Sequence, residues 1–396
     1  MPHKLYTTKA IILEGGERFP LVTNRDTGLP EASATDYAIV NLRGKPINTS
    51  LRAMDAIALL LSWADTLDIN LDERLGSFRL LSSNEISSLS EFLYRNFRVA
   101  GSGINTKTVV GAHHRARMDA ILKYFSWRTG KMISMMDTSD PAVANYNVKF
   151  KIFEKQMKEL RGSSTSLERG MLSLEQYARL IEIVTPGSSE NPFQPQNQLR
   201  NYLVILAYGE FGIRRAEILT LKGRHLNTGA KATVHVTFTP NDPHDPRTKT
   251  PSVKTKSRIL PMNTHMARKF EDLFRQRRSN PKTVTGAKKT EFIMISSHTG
   301  KPLSISAVDN MFVILRERFP EVFPSDFAPH HLRRTWNYRF SMMCKEKGIS
   351  DEQENKLRKY GMGWSAQSKQ PEKYNQLAIE QATAELLIAM QRQITG

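Results

Sequence analysis

The stretch FAPHHLRRTW, residues 327–336, sets two histidines and two arginines between apolar and aromatic residues. Pro329 suits the first turn of a helix, where a missing backbone N–H is tolerated. His330 and Arg333 then share one face near the helix N-terminus, whose backbone N–H groups attract anions. Four apolar residues recur at helical spacing and predict a buried stripe: Leu332, Trp336, Phe340 and Met343. The stretch predicts a cationic helix start, and a purely structural role for His330 and Arg333 stays open.

The composition indicates what such a cationic surface binds. The 396 residues include 57 Lys and Arg against 39 Asp and Glu, a net charge of +18. Residues 247–289 alone hold 13 Lys and Arg against 2 acids. A polyanion is therefore the expected partner, and a hydrophobic content of 39% is enough for two or three folded domains.

Membrane and redox signals are sparse in this sequence. No run approaches the length of a membrane span, and the start MPHKLYTTKAIILEGGERF lacks the apolar core of a signal peptide, so we expect a cytoplasmic protein. The single cysteine, Cys344, excludes an internal disulfide and any cysteine-based metal cluster. We interpret it as a buried, inert thiol.

The chain divides by composition into four parts. Residues 1–45 mix short β-like runs with turns and are interpreted as an appendage of unknown role, while residues 46–160 predict a helical domain with basic faces. Its first helix is expected to begin at a cap chosen from Asn48, Thr49 and Ser50. Residues 161–171 are rich in Ser and Gly and predict a linker, so residues 172–396 form the last domain.

The last domain opens with helices and then changes to strand. Ser173 and Gln176 have capping-box spacing, and the apolar helix QLRNYLVILAYGEFG is expected to end at its glycines, Gly209 and Gly212. KATVHVTF, residues 231–238, alternates and predicts a strand with Val234, Val236 and Phe238 on one face. SVKTKSRIL, residues 252–260, predicts the returning strand of a hairpin, with three cations on one face: Lys254, Lys256 and Arg258.

Each further candidate residue in this domain also has a structural interpretation. Arg214 and Glu217, three apart at a helix start, are suited to a simple ion pair. Trp364 and Tyr374 are separated by a polar loop, and a lone aromatic residue usually packs in a core or on a surface. The hairpin lysines alone would be a solvated charge run.

A purely structural role for all of these residues is less convincing when the order of their motifs along the chain is considered. The chain resembles the tyrosine recombinase, or phage-type integrase, family in the order of four motifs. They are Arg in G-x-R-x-x-E, Lys on a β-hairpin, H-x-x-R at a helix start, and G-W followed about ten residues later by Tyr. The motifs cover residues 172–396, and residues 46–160 more loosely resemble its core-binding domain. The resemblance implies a mainly α fold with a small antiparallel β-sheet, in which a helical core-type DNA-binding domain precedes an α+β catalytic domain.

The resemblance also implies a role for each matching side chain. Arg214 and Arg333 match the catalytic arginines, whose planar guanidinium groups fork onto phosphate oxygens. His330 matches the histidine that handles the proton of the attacking hydroxyl, and Tyr374 matches the nucleophile. Lys254 matches the general acid. Trp364 matches a position that is histidine in many family members, and its indole would act as a hydrogen-bond donor. Glu217 and Arg334 match supporting positions.

Several assignments have neighbouring alternatives. Lys256 stays open as the general acid beside Lys254, which better matches the family's hairpin pattern. The spacing within the two motifs favours Arg214 over Arg215 and His330 over His331. Tyr360 is a second hydroxyl, but it precedes Trp364 and would break the order of the motifs.

The implied function is site-specific DNA recombination or integration, typical of mobile genetic elements. The nucleophile would attack a phosphodiester to give a 3′-phosphotyrosyl link, and no cofactor or metal is required. Double-stranded DNA would be the partner, bound by a tetramer on paired sites, with possible accessory DNA-bending or directionality proteins. A type IB topoisomerase and a non-catalytic DNA-binding protein of the same fold stay open. A histidine metalloenzyme is disfavoured, because the pairs His113–His114 and His330–His331 face apart on a helix.

Overall fold

The computed structural model describes residues 4–77, 79–97, 108–137, 139–163, 170–239, 241–279 and 290–368. The chain splits into two compact units, the first comprising Met1–Leu167 with Thr248–Thr250 and the second Glu168–Arg247 with Pro251–Gly396. The division falls within the predicted linker 161–171. Within the described ranges, no helix is both long and apolar enough to cross a bilayer.

The first unit combines one β-hairpin with helices. Strands β1 and β2 pair antiparallel, and helices α1 to α6 follow: β1 Tyr6–Ile12, β2 Arg18–Asn24, α1 Ala32–Tyr37, α2 Ile47–Thr66, α3 Leu71–Gly76, α4 Ser83–Tyr94, α5 Gly111–Ile133 and α6 Pro141–Glu159. A short π-helical turn, Ala38–Leu42, directly follows α1 and leads to α2. Helix α4 has a complete capping box between Ser82 and Glu85.

The core of the first unit includes side chains from the N-terminal hairpin. Phe19 and Val22 of β2 and Tyr37 of α1 belong to the same buried cluster as Ile57 of α2 and Phe125 of α5. Apolar side chains of a two-stranded hairpin need another element to cover them, since an isolated hairpin is only marginally stable. Helix α2 supplies that cover, so the described part of residues 1–45 belongs to the core of this unit.

The start of α2 also differs from the prediction. The helix begins at Ile47 with Pro46 as its N-cap residue, rather than after Asn48, Thr49 or Ser50. Local preference favours a Ser, Thr or Asn cap, but Ile47 is buried in the helical register. Tertiary burial therefore extends the helix toward its N-terminus.

The second unit is mainly helical and contains one small antiparallel sheet. In the described residues the sheet has the order β3–β4–β5 and is accompanied by helices α7 to α13. The elements in chain order are α7 Leu174–Val184, α8 Pro195–Phe211, α9 Arg215–Leu219, β3 Leu226–Asn227, β4 Thr233–Val236, β5 Arg258–Pro261, α10 Thr264–Ser279, α11 Ile305–Arg318, α12 Pro329–Glu346 and α13 Asp351–Met362. The predicted capping box of Ser173 and Gln176 starts α7. The described fold confirms a mainly α chain with a small antiparallel sheet.

Helix α8 forms the centre of the second core. Five consecutive residues, Leu203–Ala207, are buried, as expected for a helix packed on most sides. Gly209 lies within this helix and does not end it. The ring of Tyr177 on α7 occupies the space that a Cβ at position 209 would need. Gly212 does end it, in the left-handed conformation.

The hairpin is shorter than the sequence predicts. Strand β4 ends at Val236 and leaves Phe238 exposed, and β5 begins only at Arg258. Val236 is paired with Arg258 in the sheet register, whereas the backbone N–H of Lys256 donates to Gly363 O at 3.0 Å. Residues 252–257 therefore lie beyond the strand, held by another part of the unit.

Buried ion pairs anchor the chain between β4 and β5. Lys222 Nζ lies 2.7 Å from Asp242 Oδ2, and Arg247 Nη2 lies 2.7 Å from Asp245 Oδ2. Arg247 also donates to the carbonyl of Leu219, at the end of α9, at 3.1 Å. The Asp–Pro-rich connection is thus fastened beside α9 before the lysine-bearing segment begins.

The predicted stripe on α12 is only partly buried. Pro329 occupies the first turn as expected, and Leu332 is fully buried. Trp336 and Phe340 are half-buried and stack with ring centroids 5.0 Å apart, and Met343 is exposed. Cys344 on this helix is buried as predicted, and burial raises the pKa of its thiol.

Candidate active site

The first candidate arginine lies where α8 turns into α9. Gly212 reverses the chain with a φ of 58°, Ile213 is buried, and Arg214 is the N-cap residue of α9. The backbone N–H of Arg214 donates to Glu217 Oε2 at 2.6 Å, which completes the cap. Its guanidinium Nη1 donates to Met362 O at 3.4 Å. The turn therefore directs Arg214 toward the C-terminal end of α13.

Glu217 is paired with a different arginine from the one that the spacing suggests. Arg258 places Nη1 3.1 Å from Glu217 Oε1 and Nη2 3.1 Å from Oε2, and both side chains are almost fully buried. The simple Arg214–Glu217 ion pair is therefore not the arrangement observed. Burial by itself would raise the pKa of the Glu217 carboxyl, but the hydrogen bonds and charge of Arg258, together with Thr255 and the Arg214 N–H, lower it overall.

The second candidate arginine reaches the same region from α12. Arg333 is buried, and its Nη1 donates to Gly212 O, two residues before Arg214. Its guanidinium lies 5.8 Å from the ring centroid of Trp364. Because Arg214 contacts Met362, two residues before Trp364, the structure brings Arg214, Arg333 and Trp364 together.

The two neighbouring histidines have different environments. His330 is exposed in the first turn of α12, whereas His331 is fully buried. His331 accepts a hydrogen bond from Ala328 N at Nδ1, 3.2 Å away, and its ring centroid lies 5.8 Å from that of Phe327. His331 thus closes the helix start, and His330 is the exposed histidine of the pair.

The candidate lysines flank a buried threonine. Lys254 and Lys256 are exposed, whereas Val253 before them and Thr255 between them are buried. The prediction that Arg258 shares their face is wrong, because two consecutive exposed residues, 256 and 257, shift the alternation and bury Arg258. Both lysines stay candidates on the exposed side of the segment.

Trp364 follows the left-handed residue that ends α13. Gly363 has a φ of 64°, and the backbone N–H of Trp364 donates to Lys359 O at 2.9 Å. Trp364 is 7% exposed. Tyr360, the alternative hydroxyl, is exposed and donates to Ile259 O at 3.2 Å. Tyr374 lies outside the described residues, and Arg334 is half-buried on α12.

Sequence reasoning missed Arg258 and Thr255 as parts of this region. Thr255 Oγ1 donates to Glu217 Oε1, beside the Arg258 fork. The available signal was Glu217 itself, because a carboxylate in an apolar helix start needs a cationic partner when it is buried. Nothing in the local sequence distinguishes Arg258 from the lysines near it.

His114 of the first unit is hydrogen-bonded within the protein at both ring nitrogens. His114 is buried, its Nε2 lies 3.0 Å from Ser90 O, and its Nδ1 accepts from Gly162 N at 3.0 Å. Burial lowers the pKa of His114; the hydrogen bond to Ser90 opposes this, and the charge of Arg117 adds to the lowering. Across the described ranges, no three His, Cys, Asp or Glu side chains form a group that could hold a metal ion.

Replacement of Gly212 by alanine is expected to destabilise the second unit by about 1–3 kcal/mol. A Cβ there would lie 2.7 Å from Trp336 Cδ2, and the φ of 58° is unfavourable for alanine. Urea denaturation of both variants would measure this, with Gly187→Ala as the matched control, since Gly187 also has a positive φ but no atom within 4 Å of its Cβ. Equal losses in the two variants would contradict the close approach of Trp336.

Comparison with known proteins identifies similar chains. Residues 171–358 match the model of the phage integrase family. No curated protein matches the chain. The XerH site-specific recombinase, in a post-cleavage complex with palindromic difH substrate, is similar with a TM-score of 0.51 and 13% sequence identity, over 87% of this chain and 90% of that chain. The Tn1549 transposon integrase, in complex with transposon right end DNA, has a TM-score of 0.49 and 15% identity, over 90% of this chain and 98% of that chain.

Proposed function

This chain belongs to the phage integrase family through residues 171–358, and from that premise we propose that it is a site-specific DNA recombinase. It cuts and rejoins DNA strands through a covalent 3′-phosphotyrosyl intermediate. The observation that carries the proposal is the convergence of Arg214, Arg333 and Trp364 through contacts with Met362 and Gly212. Three residues from separate segments of the chain thereby lie in one region of the second unit.

The two arginines bind the scissile phosphate. A guanidinium forks onto two non-bridging oxygens, and this pairing strengthens as negative charge grows in the pentavalent transition state. Arg333 is oriented by the Gly212 carbonyl, and Arg214 by the Met362 carbonyl. The indole N–H of Trp364 donates to a phosphate oxygen and carries no proton during the reaction.

The remaining groups move protons. The hydroxyl oxygen of Tyr374 attacks phosphorus and gives up its proton toward His330, which the exposed first turn of α12 makes accessible. The bond from phosphorus to the 5′ oxygen breaks, and Lys254 protonates that oxygen as it leaves. The free 5′-hydroxyl of a partner strand then attacks the phosphotyrosyl ester and reverses the same steps.

Covalent capture tests this function on DNA of any sequence. The protein is incubated with a pool of randomised nicked duplexes, and protein-linked DNA is isolated after denaturation and sequenced. The nick lets the short fragment that carries the released 5′-hydroxyl diffuse away. Because this hydroxyl can no longer attack the phosphotyrosyl link, the link persists. A 3′-linked adduct at a defined sequence supports recombination, and a non-catalytic DNA-binding protein would give no adduct.

The captured sequence also separates recombination from simple relaxation. Paired captured sites on one plasmid should yield recombinant products, and a type IB topoisomerase would relax the plasmid without exchanging strands. Recombination requires two duplexes and therefore a tetramer of protomers on paired sites. Because phosphate contacts dominate such binding, affinity should fall steeply with salt.

Deletion of residues 380–396 is expected to leave a folded, DNA-binding protein that fails to assemble on paired sites. The sequence of this region has an apolar stripe at helical spacing, in which Ala382, Leu386 and Met390 follow Ile379. The proposed docking partner of the stripe is a neighbouring protomer, so the deletion removes a contact between protomers. It removes a single basic residue, Arg392. Light scattering of the DNA complex measures the assembly.

Two other outcomes of the deletion have distinct meanings. Full-size, recombining complexes from the truncated chain would contradict docking in trans. Unfolding of the truncated chain, measured by circular dichroism, would show that the segment packs on its own domain.

A further inference from the structure

We propose that the buried Glu217–Arg258 ion pair is a positioning element that holds the lysine-bearing segment, residues 253–257, in place for proton transfer to the leaving 5′ oxygen. The inference rests on the proposed function and concerns how the general acid of that site is held. Neither Glu217 nor Arg258 needs to touch DNA for this role. Both act through the backbone and side chains that they contact.

Glu217 collects donors from two separate parts of the chain. Its Oε2 accepts from the backbone N–H of Arg214 at 2.6 Å and from Arg258 Nη2 at 3.1 Å. Its Oε1 accepts from Thr255 Oγ1 and from Arg258 Nη1 at 3.1 Å. One carboxylate therefore links the residue that bears a phosphate-binding guanidinium to the segment that bears both candidate lysines.

Arg258 extends the link to the turn before Trp364. Its Nε donates to Gly361 O at 2.6 Å, and the backbone N–H of Lys256 donates to Gly363 O at 3.0 Å. A Cβ on Gly363 would lie 2.6 Å from Arg258 Nη1 and 2.9 Å from Lys256 O. The turn and the lysine segment thus approach each other more closely than a side chain at position 363 would allow.

The location of the segment gives this link a positioning role. Residues 253–257 lie beyond β5, so ladder hydrogen bonds of the sheet do not fix the backbone of Lys254. Thr255 is buried on Glu217, and this leaves Lys254 and Lys256 exposed on either side. The Glu217 and Arg258 side chains are 0% and 1% exposed, and such a buried fork holds its geometry well.

A comparison of oxygen and sulfur leaving groups distinguishes a misplaced general acid from general damage to the structure. With oxygen, the electron pair of the broken P–O bond goes to the 5′ oxygen, which takes a proton from the lysine ammonium. With sulfur at the bridging position, the pair goes to sulfur, and the thiolate leaves without a proton because thiols are much stronger acids than alcohols. Loss of the acid therefore slows only the oxygen substrate.

The experiment compares Arg258→Lys with the wild-type protein on matched oxygen and 5′-thio suicide substrates made from the captured sequence. Arg258→Lys keeps the charge and loses the fork, so the single-turnover cleavage rate on oxygen should fall about 100-fold. On sulfur the rate should fall by less than about tenfold. Lys254→Ala should show the same pattern, and Arg333→Lys should lose rate on both substrates.

Arg358→Lys is the control for damage to a buried ion pair. Arg358 on α13 is fully buried, pairs with Glu354 on the same helix and donates to Ser341 on α12. This variant should change the cleavage rates on the two substrates by the same factor. If Arg258→Lys also loses equally on both substrates, the positioning role is wrong, while adduct formation by the wild type preserves the proposed function. If the wild-type protein forms no adduct on either substrate, both the proposed function and the positioning role are wrong.

Thr255→Val covers the case in which Arg258→Lys does not fold. This substitution removes the hydroxyl that donates to Glu217 and keeps the Arg258 fork. The same preference for sulfur should appear with a smaller loss on oxygen. An equal loss on both substrates in this variant would overturn the proposal, with thermal unfolding as the check on folding.

Discussion

Tyr374→Phe is expected to abolish the covalent DNA adduct and to leave DNA affinity unchanged. The substitution removes one hydroxyl, which the proposal assigns as the nucleophile, and leaves every cationic side chain in place. Gel electrophoresis after denaturation measures the adduct on the nicked duplex, and a mobility shift under native conditions measures binding. The two assays separate chemistry from recognition.

Tyr360→Phe is the matched control for the nucleophile. Tyr360 is 61% exposed, and its hydroxyl donates to Ile259 O. The control should form adduct at the wild-type yield, since it loses only this surface hydrogen bond. A normal adduct from Tyr374→Phe, combined with loss from Tyr360→Phe, would move the nucleophile to Tyr360.

Arg214→Lys and Arg333→Lys are each expected to lower the single-turnover cleavage rate about 10²- to 10³-fold, with little change in DNA affinity. Lysine keeps the positive charge but cannot donate two parallel hydrogen bonds to the phosphate. Arg333→Lys also loses the donation to Gly212 O, so the orientation of the side chain is lost with its fork. Rapid-quench measurement at saturating protein isolates the chemical step.

Arg215→Lys is the neighbouring control for both arginines. Arg215 directly follows Arg214 but is paired with Asp309 on α11. Its replacement should leave the cleavage rate near that of the wild type. A large loss from Arg215→Lys without a loss from Arg214→Lys would show that the motif is assigned one residue too early.

Local signals are sufficient for much of the fold. Ser173 and Gln176 predict the start of α7, Pro329 predicts the first turn of α12, and Gly212 predicts the end of α8. These features depend on a few adjacent residues and their backbone preferences. The start of α2 cannot be predicted in this way, because burial of Ile47 prevails over the preferred polar caps.

The candidate site is only partly predictable for the same physical reason. Motif spacing predicts Arg214 and Arg333 as site residues, and the structure brings both near Trp364. The partner of Glu217 depends on contacts between distant segments, so the spacing suggests Arg214 where the structure has Arg258. An alternating pattern also cannot reveal that the strand begins at Arg258 and not before it.

The long sequence separations within the site have a consequence for synthesis of the protein. Arg258 contacts a carbonyl 103 residues away, the Arg333–Gly212 contact spans 121 residues, and the Arg214–Met362 contact spans 148. Contacts of this kind form only after large loops close, and a chain still on the ribosome lacks their C-terminal halves. A nascent chain therefore exposes basic, DNA-attracting segments well before the side chains of the proposed active site can come together.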